Sequence, residues 1–178
     1  MPNDLVKEAK VPEFAKSSND LHQTLDAQVK DGGKPSFFRL KAQLPKLGRT
    51  NVPMAASKNM WVVLKTYAQD GENELHAHPH EDHTFVVLQG RASFRGPQGE
   101  EKTIGLHEGV LLPRGTFYWF KAVGEEPLVM IRIGCASSEA AAGGAALRGR
   151  INIQGKPMAG DSAENKTVKR VMTDQWFG

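Results

Sequence analysis

The chain has 178 residues, six histidines, one cysteine and a net charge of +3 with a pI near 9.0, enough length for one domain with a core plus arms. Lys and Arg are dispersed without a polybasic block, which argues against a nucleic-acid partner, and the lone Cys135 excludes an internal disulfide and suits a reducing compartment. No apolar stretch approaches membrane-spanning length and the first residues lack an apolar leader core, so a cytoplasmic protein without a membrane partner is expected.

In chain order, residues 1–35 read as a polar N-terminal arm. Ser17, Ser18 or Asn19 caps a helix whose apolar positions Leu21, Leu25 and Val29 recur at near-helical spacing, and Asp31-Gly32-Gly33 ends it. Residues 36–134 read as strands and turns throughout. Strands are predicted at about 36–44, 60–69, 74–78, 83–89, 91–96, 101–106, 109–113, 116–123 and 127–133, with glycines between them. Many short strands at this spacing predict an all-β sandwich or barrel. Residues 135–178 read as an Ala/Gly-rich linker and an irregular C-terminal tail. Its Trp176 and Phe177 are expected to dock on the barrel or on a neighbour.

The chemistry concentrates in one stretch, His76-Ala77-His78-Pro79-His80-Glu81-Asp82-His83. Imidazole is the commonest side-chain metal ligand. On an extended chain His76 and His78 face the same way, with Cα atoms about 6.5 Å apart, so both can converge on one cation. Pro79 permits a turn. His83 then opens a strand on which His83, Phe85, Val87 and Gln89 share a face, giving a metal pocket with an apolar wall. His80 is assigned to the rim, His22 and His107 to the surface, and Glu81 and Asp82 to the turn.

These residues resemble the cupin family, small jelly-roll barrels that usually hold one divalent metal. The first motif of that family is matched in spacing by His76-Ala77-His78, four residues, His83, six residues and Gly90. The second is matched by Pro113-Arg114-Gly115 followed by Thr116, Phe117 and Tyr118. The resemblance covers roughly residues 60–134 and implies a single jelly-roll cupin barrel. Two usual ligands are changed: His83 stands at the glutamate position and Tyr118 at the second-motif histidine. The expected ligands are therefore His76, His78 and His83, with Asp82 the rival to His83. One divalent metal ion, Fe, Zn, Ni or Cu, is the expected cofactor. Loss of the carboxylate leaves the site one unit more positive, favouring an anionic substrate or a bound hydroxide. Tyr118 is the catalytic candidate, open between metal ligand, proton donor or substrate anchor, and packing residue.

Two functions follow from the resemblance. One is a metal-dependent enzyme on a small organic substrate, with dioxygenase chemistry favoured over isomerase or lyase chemistry. The other is a ligand-sensing or sugar-binding cupin without turnover. A homodimer is also expected, because the apolar segment 35–44 is suited to cover a sheet edge in its own barrel or a partner's.

Overall fold

Alternation of inward and outward side chains explains the main sheet. In β4 (Glu81–Gln89) the odd-numbered residues Glu81, His83, Phe85 and Val87 are buried, and the residues between them are only partly so. β4 pairs antiparallel with β9 (Leu128–Ala136), which pairs with β3 (Met60–Tyr67). With β2 (Arg49–Ala56) and β7 (Gly109–Leu112) they form a five-stranded sheet in the order β2-β3-β9-β4-β7. A second sheet has the order β6-β5-β8, built from β5 (Ala92–Arg95), β6 (Glu101–Ile104) and β8 (Trp119–Ala122). The computed structural model describes residues 13–29, 34–69, 71–136, 149–158 and 170–178.

The inner faces of the two sheets enclose an aromatic core of Tyr67, Phe85, Phe94, Tyr118 and Phe120 with Leu128 and Met130. Their rings meet mostly edge to face, as between Tyr67 and Phe120 at 5.1 Å. The expected jelly-roll architecture is thus present as two facing sheets, and not as a barrel closed by one continuous ladder.

A second apolar layer lies on the outer face of the large sheet. There β1 (Ala42–Leu47) pairs antiparallel with β12 (Val171–Phe177), and Ala42 and Leu44 pack with Val52, Met54, Leu64 and Val129. Phe177 packs against this cluster, which is the docking expected for the terminal aromatics, while Trp176 is half exposed beside Lys41. The tail is therefore more regular than expected: β12 is a strand, and β10 (Arg150–Ile151) with β11 (Pro157–Met158) forms a small hairpin. The Ala/Gly-rich stretch 137–148 lies outside the described residues.

The arm helix forms over Ser18–Gln28. The Ser17 hydroxyl accepts from Asp20 N–H at 3.0 Å, and Asp20 accepts in turn from Lys16 N–H at 2.7 Å. Leu21 and Leu25 are buried with Ala15 against Trp61 and Val63, so α1 covers one mouth of the sandwich. The expected stop at Asp31-Gly32-Gly33 lies outside the described residues; the helix is over at Gln28 and Val29 is already extended.

Two strand expectations need correction. No strand was expected over β2, which contains Pro53. β2 is a sheet edge, where a missing N–H breaks no ladder. Residues 74–78 form no strand and make only isolated bridges at His76 and Ala77.

Candidate metal centre

The histidine segment is fixed by its backbone. His76 N–H donates to Tyr118 O at 3.1 Å, and Tyr118 N–H returns to His76 O at 3.0 Å. Ala77 makes the same reciprocal pair with Ile151, both at 3.0 Å. Gly115 N–H then donates to His78 O at 2.8 Å, and Gly115 has a φ of 79°, which favours glycine. The second motif's turn is thus clasped onto the first motif.

His78, Glu81 and His83 meet at the inner face. One ligating atom from each lies within 4.8 Å of the others, and all three side chains are buried. The His78 and His83 ring centroids are 4.1 Å apart. Glu81 Oε2 is 3.2 Å from His83 Nε2 and 3.6 Å from His78 Nδ1. Trp61 Nε1–H donates to the other carboxylate oxygen, Oε1, at 2.8 Å. The indole in turn stands edge-on to His83 at 5.2 Å.

The carboxylate is therefore Glu81, which overturns its assignment to a turn and the inferred loss of negative charge. β4 begins two residues earlier than expected, so Glu81 shares the inward phase of His83. Asp82, the rival ligand, points the other way. Its carboxylate accepts from Arg114 N–H at 2.7 Å and lies 3.4 Å from the Arg114 guanidinium, outside the cluster. His76 is buried beside it, its ring 5.0 Å from that of His78, but outside the closest group of three. Its Nδ1 faces Glu74 O at 2.6 Å; the N–H at that nitrogen leaves Nε2 as the nitrogen able to ligate. His80 is exposed, as expected for a rim residue, and so is His107. His22, assigned to the surface, lines the cavity described below.

Electrostatics keep the imidazoles neutral. Burial lowers the pKa of His76 and His78 well below the ordinary histidine value, and nearby Arg132 and Arg150 push the same way. Burial and Arg132 bring His83 to about 4 despite the opposing pull of Glu81. Burial alone would raise the Glu81 carboxyl, but hydrogen bonding and charge from His83, with the Trp61 bond, outweigh it and leave the pKa lowered. Neutral imidazoles beside an ionised carboxylate are the protonation states a divalent cation requires.

The donor set fits a metal on one further observation. Both ring nitrogens of His78 are buried and neither has a hydrogen-bond partner. Buried polar atoms are rarely left so, and the cost of an unmet one is about 1–3 kcal/mol. A cation at the His78–Glu81–His83 face would satisfy one of those nitrogens.

Tyr118 is buried in the core, its ring 4.6 Å from that of His76 and 6.5 Å from that of His78. Burial raises the phenol pKa above its ordinary value, so without a metal the hydroxyl keeps its proton. With Glu81 present, no phenolate is needed to supply negative charge. Beside these residues lies a cavity of about 140 Å³ lined by His76, His78, Tyr118, Phe85 and Phe120, among others. Sequence reasoning missed the basic residues that also line it: Arg49, Lys65, Arg132 and Arg150.

Two facing antiparallel sheets with a histidine–carboxylate cluster on the inner wall define a double-sheet β protein with a candidate metal site. Residues 63–134 match the family model for the cupin domain. The structure of KdgF from Halomonas sp. is similar, with a TM-score of 0.50 and 17% identity over 60% of this chain and 98% of that chain. BH2720 from Bacillus halodurans gives 0.49 and 18% over 62% and 87%. The cupin domain of Schizosaccharomyces pombe Cnp3 gives 0.49 and 14% over 51% of this chain and 66% of that chain. At 17% identity the likeness to KdgF bears on the fold alone. No curated protein matches the sequence. Among the described residues no helix is long and apolar enough to cross a membrane.

Proposed function

We propose that this protein is a metal-dependent enzyme of oxygenase type that acts on a small organic substrate in the cupin cavity. The observation that carries the reading is the buried His78 imidazole, without a hydrogen bond at either nitrogen, beside Glu81 and His83. Two histidines and one carboxylate on one face are the donor set of non-haem Fe(II) oxygenases. A metal held by His78, Glu81 and His83 would supply Lewis acidity or redox chemistry.

The chain's own groups have definite parts in this reading. Trp61 holds the Glu81 carboxylate in place, and the Glu74 carbonyl fixes the orientation of His76. Phe85, Phe120 and the Tyr118 ring supply the apolar part of the cavity lining, while the neutral Tyr118 hydroxyl is the group available to donate a proton or anchor substrate.

The test is metal analysis of protein purified without added metal, followed by oxygen uptake with diketones, phenols and keto acids. Iron retained near one equivalent, with uptake that falls at least about tenfold in Tyr118→Phe at unchanged metal content, is the expected result. Protein that retains no metal under any loading, or that binds small acids without turnover, overturns the enzyme reading in favour of a ligand-sensing cupin.

We also propose a homodimer. Phe37 and Phe38, just before β1, are 77% and 41% exposed, so the segment expected to cover an edge leaves both rings uncovered within one chain. Light scattering is expected to give twice the 19.5 kDa chain mass, and Phe37→Ser with Phe38→Ser to return it to one. A wild-type monomer at micromolar concentration removes the dimer.

A further inference from the structure

Two elements outside the two facing sheets help to close the cavity. α1 contributes Ser18, Leu21 and His22 to the lining, and the β10–β11 hairpin contributes Arg150 and Met158. Beneath these covers the histidines are nearly sealed, with His76 3% and His78 5% exposed. The attachments of the two covers differ. Ile151 of the hairpin makes its reciprocal backbone pair with Ala77, inside the His76–His78 segment itself, so moving the hairpin would disturb the candidate ligands. α1 docks through side chains. Leu21 and Leu25, its only buried residues, pack with Trp61 and Val63, and Gln28 Nε2 donates to Pro53 O at 3.4 Å. The chain just ahead of α1 is pinned more firmly. Ala15 N–H donates to Asn51 O at 2.7 Å. Arg170, next to β12, donates from Nη1 to Ala15 O at 2.9 Å and from Nη2 to Lys16 O at 2.8 Å, with its guanidinium over the Phe14 ring at 5.0 Å. A helix of eleven residues is marginal alone in water, so α1 undocked is also α1 unwound. An element held by two apolar side chains and a clasp opens at a lower free energy than the ladders around it.

We propose that α1 is the gate of the cavity: it undocks as a unit to admit a small molecule, Arg170 holds it shut, and the β10–β11 hairpin stays in place. The inference rests on the proposed function only for what passes through the gate; the gate itself is part of the chain and needs no metal. Its closure also reaches the site. Leu21 and Leu25 pack with Trp61, and Trp61 Nε1–H holds Glu81, so docking of α1 and placement of the carboxylate are linked through one indole.

The test uses metal-free protein and two readouts. One is hydrogen exchange over α1, resolved by mass spectrometry. The other is the rate at which diethylpyrocarbonate modifies His76 and His78, with the exposed His80 and His107 as internal standards. In the wild type, α1 is expected to exchange at least about tenfold faster than β3 and β9. Arg170→Ala is expected to speed both α1 exchange and modification of His76 and His78 at least about fivefold, with β3, β9 and the two standards unchanged. Gln28→Ala, which loosens the opposite end of α1, is expected to act in the same direction and serves if Arg170→Ala does not fold. Wild-type α1 amides that exchange as slowly as those of β9 overturn the gate without any variant. Faster α1 exchange in a variant without faster modification of His76 and His78 overturns it too, as does α1 exchange that neither variant changes. Neither readout involves a metal, so a protein that never retains one removes the metal-dependent reading and leaves this test as it stands.

Discussion

Glu81→Gln is expected to lower divalent-metal affinity at least about a hundredfold while leaving the β fold intact. Glutamine keeps the shape of the side chain and can still accept from Trp61 N–H, but it removes the negative charge of the carboxylate that faces His78 and His83. Partners one shell outside a metal typically account for 10–100-fold in affinity, so loss of a ligand should reach at least the upper end. Equilibrium dialysis with metal quantification measures the loss, and far-ultraviolet circular dichroism checks the fold. Asp82→Asn provides the control. Asp82 sits at the surface with Arg114, so metal affinity should not change. A loss in Asp82→Asn with none in Glu81→Gln would mean that the inward phase of β4 is wrong by one residue.

The second large effect is expected at Gly134. Across the ladder it opposes Trp61 on one side and His83 on the other. A Cβ at this position would overlap the six-membered part of the Trp61 indole. Gly134→Val must therefore displace the ring whose N–H holds Glu81 and whose edge meets His83. Overpacking of this kind costs about 1–3 kcal/mol in stability. Metal affinity should fall as well, by about 10–100-fold, because the carboxylate loses its support. Denaturant titration of metal-free protein isolates the first effect, and dialysis measures the second. Wild-type behaviour in both would show that the indole does not occupy the space above Gly134.

Much of the site was legible in the chain because it is local. His76, His78 and His83 lie within one short segment, and their spacing with Gly90 and the Pro113–Gly115 turn carries the cupin resemblance. Glu81 was misplaced although a signal for it existed. It has the same parity as His83, Phe85 and Val87, so extending the two-residue period back by one step would have put it on the inner face. The turn signal of Pro79 obscured that step. The basic wall was not legible, since Arg49, Lys65, Arg132 and Arg150 are scattered in sequence. Only the order β2-β3-β9 and the bridge from Ala77 to Ile151 bring them to one cavity. Similarly, β2 was not predicted, and Pro53 is acceptable within it because the strand is a sheet edge.

The β1–β12 ribbon also bears on the order in which the molecule assembles. Its register joins Ala42 to Phe177, so pairing it closes a loop that contains both sheets. The hairpins β2–β3 and β5–β6 close over a few residues. Closure entropy rises with loop length, and contacts between distant residues are gained late. The outer layer is accordingly expected to pair last and to open first. A nascent or partly opened chain then presents Val52, Met54, Leu64 and Val129 to solvent while the inner wall with its histidines stays covered. Quality-control machinery that reads exposed apolar surface would meet this face of the sheet first.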